Sequence, residues 1–229
     1  MISEMLDKGG GFNTLIFDDT YAKICLIASI ISEFQCKDHN DNHHKVFYLD
    51  FDAAFTSYAK AGLIPTIKIQ KINDHYYQSE SNILKIFLPS QDIFGIITTD
   101  IIKSMSECSL VIFDSINSFY NLYYDRLVPN QNNRINIGSL NQLLYFVLMI
   151  ILKHTSEYNI PFLVTSMIRY RGKERVISNR LLSMKSSFNF YVKIRNLDDL
   201  SITVLRHPKL DHKNFIMKDK VLKWTRRLS

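Results

Sequence analysis

Cysteine is scarce in this chain. Cys25, Cys36 and Cys108 are the three among 229 residues, an odd set without a framework spacing. That excludes a disulfide-stapled scaffold and suits a reducing cytosol. Long apolar runs are absent too: the longest, residues 143–152, is too short to span a bilayer and reads as a buried helix. Residues 1–11 are polar and glycine-rich and lack the apolar core of a signal peptide. The chain is therefore expected to be a soluble cytoplasmic protein without membrane attachment. No internal repeat and no linker interrupts it, so one domain over residues 1–229 is expected. Neither a nucleophile triad nor a dinucleotide fingerprint is present.

Hydrophobic residues make up 46% of the sequence, which is enough to fold around a sizeable core. A net charge of +6 and a pI near 9.1 permit a polyanionic partner without requiring one.

The chain is organised around residues 109–120. Leu110, Val111, Ile112 and Phe113 form a short unbroken apolar run, the pattern of a strand covered on both faces. Asp114 follows at once. A carboxylate at the carboxyl end of a buried parallel strand lies where open α/β sheets bind ligands. Asp and Ser also cap helices, so a purely capping role stays open.

Around this centre, strands are expected at residues 14–17, 46–49, 83–88, 161–165, 190–195 and 201–206, with a last hairpin within 215–224. Helices are expected at 21–34, near 58–62, near 94–105 and at 140–158. Residues 121–139, rich in Asn, read as a loop. Glycines 9–11 read as a flexible turn, and Gly62 as a helix stop. Strands alternating with helices imply an α/β fold with a mostly parallel sheet and right-handed crossovers.

This order of elements resembles the RecA-fold ATPase core of the RadA/RecA recombinases and KaiC-like proteins, over nearly the whole chain. Residues 9–26 resemble the glycine-rich lead-in, first strand and phosphate loop. Tyr48-Leu49-Asp50-Phe51-Asp52 resembles the second strand, whose end carries the family's catalytic glutamate. Residues 110–115 resemble the Walker B strand, and residues 159–167 the strand whose end senses nucleotide. Arg206-His207-Pro208 stands where the family often has a basic residue and a proline turn. The resemblance implies a three-layer RecA-like P-loop NTPase fold, a mostly parallel central sheet with helices on both faces. Because the first strand is expected almost at once, no counterpart of the recombinases' helix-rich N-terminal domain is expected.

The departures from the family pattern concern every catalytic position. A phosphate loop reads G-x-x-x-x-G-K-[ST], its glycines letting backbone N–H groups wrap the phosphates. Here the stretch is Asp18-Asp19-Thr20-Tyr21-Ala22-Lys23-Ile24, one residue shorter and without glycine. Ile24 replaces the magnesium-binding hydroxyl, and two carboxylates stand where phosphate would lie. Lys23 is expected to be a solvated residue in the first turn of a helix. Asp52 is one methylene shorter than the glutamate it replaces. Thr165-Ser166-Met167 replaces Thr-Asn-Gln, and a thioether cannot donate a hydrogen bond. Asp114 keeps its place, with Ser115 beside it. The expectation is a vestigial nucleotide site (Lys23, Asp114, Ser115) without catalytic residues and without ATP or magnesium as cofactor.

In the recombinases, the segment after the sensor strand is a DNA-binding loop. Here it carries Arg169, Tyr170, Arg171, Lys173, Arg175, Arg180 and Lys185, interrupted by Glu174. Cations would meet phosphates while Tyr170 stacks on a base; a solvated charged loop is the bland alternative. The tail adds Lys213, Lys218, Lys220, Lys223, Arg226 and Arg227 around Trp224. Residues 121–139, with Arg126 and Arg134, correspond to the second recombinase loop and carry a weak signal. Phe119, Tyr120, Tyr123 and Tyr124 read as packing, or as a partner surface if exposed. Cys36, Asp38, His39, Asp41, His43 and His44 fit no standard zinc spacing and read as a polar loop. The resemblance thus implies a catalytically degenerate RecA/RadA-like accessory factor in DNA recombination or repair. It would bind DNA, single-stranded in preference, or a recombinase, with oligomerisation open. The rivals are a weak ATPase using Lys23, Asp52 and Asp114, and a KaiC-like protein-binding scaffold.

Overall fold

The computed structural model describes residues 2–8, 11–35, 45–89, 93–127, 137–170, 174–176, 182, 185–207, 209–210 and 212–222. The strands are β1 (Phe12–Phe17), β2 (Lys45–Asp50), β3 (Ile69–Asn73), β4 (Tyr76–Ser79), β5 (Leu84–Phe87), β6 (Cys108–Asp114), β7 (Phe162–Tyr170), β8 (Glu174–Val176), β9 (Ser186–Ile194), β10 (Leu200–Arg206) and β11 (Asn214–Met217). The α-helices are α1 (Ile2–Met5), α2 (Thr20–Gln35), α3 (Ala54–Lys60), α4 (Ile93–Gly95), α5 (Ile116–Leu127) and α6 (Ile137–Glu157).

The sheet runs β11-β10-β9-β1-β7-β6-β2-β5-β4-β3, with β8 paired to β7 alone. From β9 to β5 every neighbouring pair is parallel, and antiparallel strands close both edges. The chain is an α/β protein with a mostly parallel sheet. Side-chain alternation divides the core between the two faces. Leu15, Tyr48, Leu110 and Ile112 meet α2 and α3 on one side. Phe47, Leu49, Val111 and Phe113 meet α5 and α6 on the other. Leu110 to Phe113 have no exposed surface, as their unbroken apolar pattern requires. No helix among the described residues is long and apolar enough to cross a membrane.

Three local expectations need correction. Residues 121–127 are helical rather than loop, because Ile116, Phe119 and Tyr123 place a buried apolar stripe under the polar face of α5. The loop expected there is left with residues 128–136, outside the described residues, and Ile137 opens α6. A hairpin of β3 and β4 lies in a stretch without strand signal, since β3 is exposed along nearly all its length. The helix expected near 94–105 is α4 followed by a π-helical turn over Ile96–Ile102.

Gly11 is needed for close approach rather than flexibility. A Cβ there would lie 2.6 Å from the Lys185 carbonyl oxygen and 2.2 Å from Ser187 Oγ. The β1–β9 register shifts at this point, leaving Ser187 unpaired between Phe12↔Ser186 and Asn13↔Phe188. Glycines 9 and 10 lie outside the described residues.

Candidate functional site

The carboxyl ends of β2 and β6 and the middle of β7 bring Asp50, Asp114 and Thr165 side by side. Asp50 is in register with Asp114, and the Thr165 hydroxyl donates to Asp114 Oδ1. Lys23, in the second turn of α2, reaches this row from the helix packed above it. Its ammonium lies 2.8 Å from Asp114 Oδ1 and 2.7 Å from Oδ2. The Tyr48 hydroxyl also donates to Oδ2. Asp114 thus accepts four hydrogen bonds, which fill the lone pairs of a carboxylate.

Lys23 is not solvated, contrary to expectation: its side chain and that of Asp114 are both fully buried. The reason is tertiary. Residues 22–31 of α2 are buried on every side, so a lysine within them must find a counter-charge in the core. Burial alone would lower the Lys23 ammonium, but Asp114, Asp52 and Asp50 outweigh it and hold the group above its ordinary value. The ammonium also lies 5.1 Å from the centre of the Phe17 ring. Burial, with Asp114 adding to it, pushes the Tyr48 phenol well up, so Tyr48 stays a donor.

Asp50 is buried and half satisfied. Its Oδ2 accepts from the Thr56 amide at 2.8 Å and the Thr56 hydroxyl at 2.6 Å, while Oδ1 has no hydrogen-bond partner among the described residues. Burial and then the Asp114 charge push this carboxyl up to about 8, against the pull of Thr56. Asp50 is therefore held towards its protonated form at neutral pH. Asp52, at the exposed rim, behaves oppositely. Burial raises it, but the Lys23 charge and hydrogen bonds from the Ala54 amide and Ser118 together hold it below the usual carboxylate range. Its oxygens accept from the Ala54 amide at 3.0 Å and from Ser118 Oγ at 2.8 Å. Ser115 Oγ in turn meets Ser118 Oγ at 2.8 Å.

Carboxylate oxygens of Asp50, Asp52 and Asp114 lie within 4.8 Å of one another, a spacing open to a cation. The Lys23 ammonium already supplies one, and Asp114 has no lone pair left. The residues do not fit a magnesium–nucleotide complex at the other positions either. Only Asp18 and Asp19 separate β1 from α2. Asp19 caps the helix by accepting from the Tyr21 amide at 2.7 Å, and Asp18 accepts the Tyr191 hydroxyl at 2.5 Å. The α2 N-terminus, an anion site by its dipole, is thus served by the chain's own carboxylate. Further along β7, the Met167 amide donates to Asn117 Oδ1 at 2.7 Å. The arrangement fixes an internal cation on an internal anion and exposes only Asp52, a weak base.

The structure brings together Lys23, Asp52, Asp114 and Ser115 from the sequence reading. It adds Tyr48, Asp50, Thr56 and Ser118. A signal for two of these existed: Tyr48 and Asp50 share one side of β2 by their period of two. The basic segment continues β7 beyond Met167. Arg169 and Tyr170 end β7, Arg175 lies in β8, and the two strands form an antiparallel pair with Arg169 opposite Arg175 and Tyr170 opposite Glu174. Lys185 is half-buried beside β9. Arg171, Lys173 and Arg180 lie outside the described residues, as do Cys36 to His44 and the tail from Lys223 onward.

No family model matches the chain, and no curated protein matches it.

Proposed function

We propose that the chain is a RecA/RadA-like paralog whose nucleotide site is closed by its own lysine, and that it acts as an accessory factor in DNA recombination or repair. The observation that carries this reading is the saturated Asp114. A carboxylate at the carboxyl end of a central parallel strand occupies a ligand position of α/β sheets, yet here all its lone pairs are taken from within. The parallel sheet covered by helices on both faces supports the RecA-like fold. The contact surface is the segment from Ile168 to Ser186, where β7 runs on into its pairing with β8 and carries Arg169 across from Arg175. Net charge of +6 suits a nucleic-acid partner.

The test is single-stranded DNA binding across a range of salt. The wild-type chain retards the DNA at low salt, and the log–log salt slope falls by about 1.4 in Arg169→Ala/Arg175→Ala if each arginine neutralises one phosphate. Binding that ignores both arginines sinks the DNA reading and leaves a protein-contacting scaffold. ATP turnover that disappears in Lys23→Met sinks the closed-site reading.

A further inference from the structure

The sheet ends at β11, whose outer side pairs with no strand among the described residues. We infer that β11 takes up an extended acidic segment of another protein as an additional strand. In an antiparallel pair, successive residues turn their backbone groups alternately toward the partner strand and away from it. The Val204 amide donates to the Lys213 carbonyl oxygen at 2.8 Å, and the same register continues through Ile202↔Phe215 and Leu200↔Met217. Phe215 and Met217 therefore turn their amides and carbonyls to β10. Those of Asn214 and Ile216 point outward, a row of donors and acceptors open to a further strand.

The side chains follow the same alternation. Phe215 and Met217 pack on the core below, while Asn214 is exposed and Ile216 is 48% exposed. The opposite edge of the sheet is a poorer template. There the register of β3 with β4 shifts between Lys71 and Asn73, and Lys71 is already held by Asp74 at 2.6 Å.

Charge selects the occupant. Residues 212–222 carry three lysines, Lys213, Lys218 and Lys220, against one aspartate, Asp219. All three lysines are exposed, and none forms an ion pair among the described residues. Asp199, which feels the Lys218 charge, is held by Asn196 at 2.9 Å and by the Asp219 amide at 3.2 Å. Lysines beside an edge strand repel a second copy of that edge, which brings its own lysines into reach. An acidic strand meets the same lysines as counter-charges. Because β11 spans only four residues, a short segment fills the edge. Backbone hydrogen bonds supply its affinity, and carboxylates facing Lys213 and Lys218 supply its selectivity.

The test is fluorescence anisotropy of a labelled peptide alternating Glu and Val, titrated with the full chain at low salt. A Lys–Val counterpart and a Glu–Val peptide with proline at its centre are the controls. The Glu–Val peptide binds, the controls do not, and hydrogen exchange at the Asn214 and Ile216 amides slows in the complex. Ile216→Pro removes an outward N–H and leaves the ladder to β10 in place, as edge strands allow; it weakens binding by about tenfold. Lys213→Glu/Lys218→Glu alters exposed side chains alone, keeps the fold and abolishes binding. The proposal is overturned if the Glu–Val peptide fails to bind, if the Lys–Val peptide binds equally, or if either variant binds like wild type. Self-association of the chain that Ile216→Pro removes assigns the edge to a second copy and also overturns it. Arg169→Ala/Arg175→Ala must leave peptide binding intact, so failure here and failure of the DNA reading are distinguishable.

Discussion

Lys23 and Asp114, 91 residues apart in sequence, meet through two hydrogen bonds of 2.8 and 2.7 Å with no solvent access to either side chain. A buried ion pair offers little net stability over well-packed apolar residues, because both charges lose their hydration. Removing one partner is costly, because the other charge is then stranded. The pair therefore dictates which side chains belong in the core between α2 and β6.

A double-mutant cycle measures this dependence. Lys23→Met leaves Asp114 charged and buried, and is expected to cost about 3–5 kcal/mol. Asp114→Asn alone strands the ammonium at a similar cost. The double variant Lys23→Met/Asp114→Asn keeps an acceptor for Tyr48 and Thr165, and recovers at least half of either loss. Urea denaturation of the four proteins gives the coupling. A Lys23→Met chain within about 0.5 kcal/mol of wild type contradicts the burial of the pair.

The uneven legibility of the sequence has a physical basis. Leu110 to Phe113 declared a doubly covered strand because burial on two faces demands consecutive apolar residues. The strand carrying Thr165 is legible for the same reason, whereas β9 shows the alternation of a strand buried on one face. Lys23 was not, since nothing local to α2 reveals that a carboxylate on another strand lies above it. A lysine is ordinarily solvated, and only the tertiary packing reverses that here. Asn121 and the asparagines after it obscure α5, whose helical signal is the spacing of Phe119 and Tyr123. The β3–β4 hairpin stayed hidden because an exposed edge strand has no alternation to show. At the site, Asp50 escaped notice because its meaning comes from register with Asp114 rather than from its neighbours in sequence.

Backbone strain beside Asp52 gives a further test. Ala53 has φ 55° and ψ 18°, the left-handed region, immediately before α3. A side chain there costs about 1–2 kcal/mol, and glycine relieves it at some cost in unfolded-state entropy. Ala53→Gly is expected to be neutral or slightly stabilising. Ala53→Val, whose branched Cβ worsens the clash, should fall below it by at least about 1 kcal/mol. Equal melting temperatures for the two variants contradict the assigned conformation.

Close backbone approach at Gly11 predicts an asymmetric rescue. Gly11→Ala forces Cβ onto the Lys185 carbonyl and Ser187 Oγ, and is expected to cost about 1–3 kcal/mol as overpacking. Ser187→Gly removes the serine side chain with its hydroxyl, the softer of the two obstacles. The double variant should therefore remain well below Ser187→Gly in stability. Full recovery would place the constraint in the side chain instead of the backbone.

Protonation of Asp50 ties stability to pH in a direction opposite to that of most acidic residues. Its carboxyl stands at about 8 in the folded chain against 3.8 when exposed. Between those values the folded state holds a proton that the unfolded state has released, so this group's contribution falls as pH rises through the window, by at most about 1.4 kcal/mol per pH unit. Above about 8 both states are ionised and the loss levels off. Asp52, held low, acts in reverse: its contribution is present above the exposed value and fades as pH falls towards its lowered folded value. Lys23, held high, is lost only in strong alkali. Across pH 5 to 8 Asp50 is thus the one of the three whose contribution changes. Asp50→Asn keeps an acceptor for Thr56 and cannot ionise. Its melting temperature should hold steady over that range while that of the wild type declines, and parallel curves would remove Asp50 as the origin of the slope.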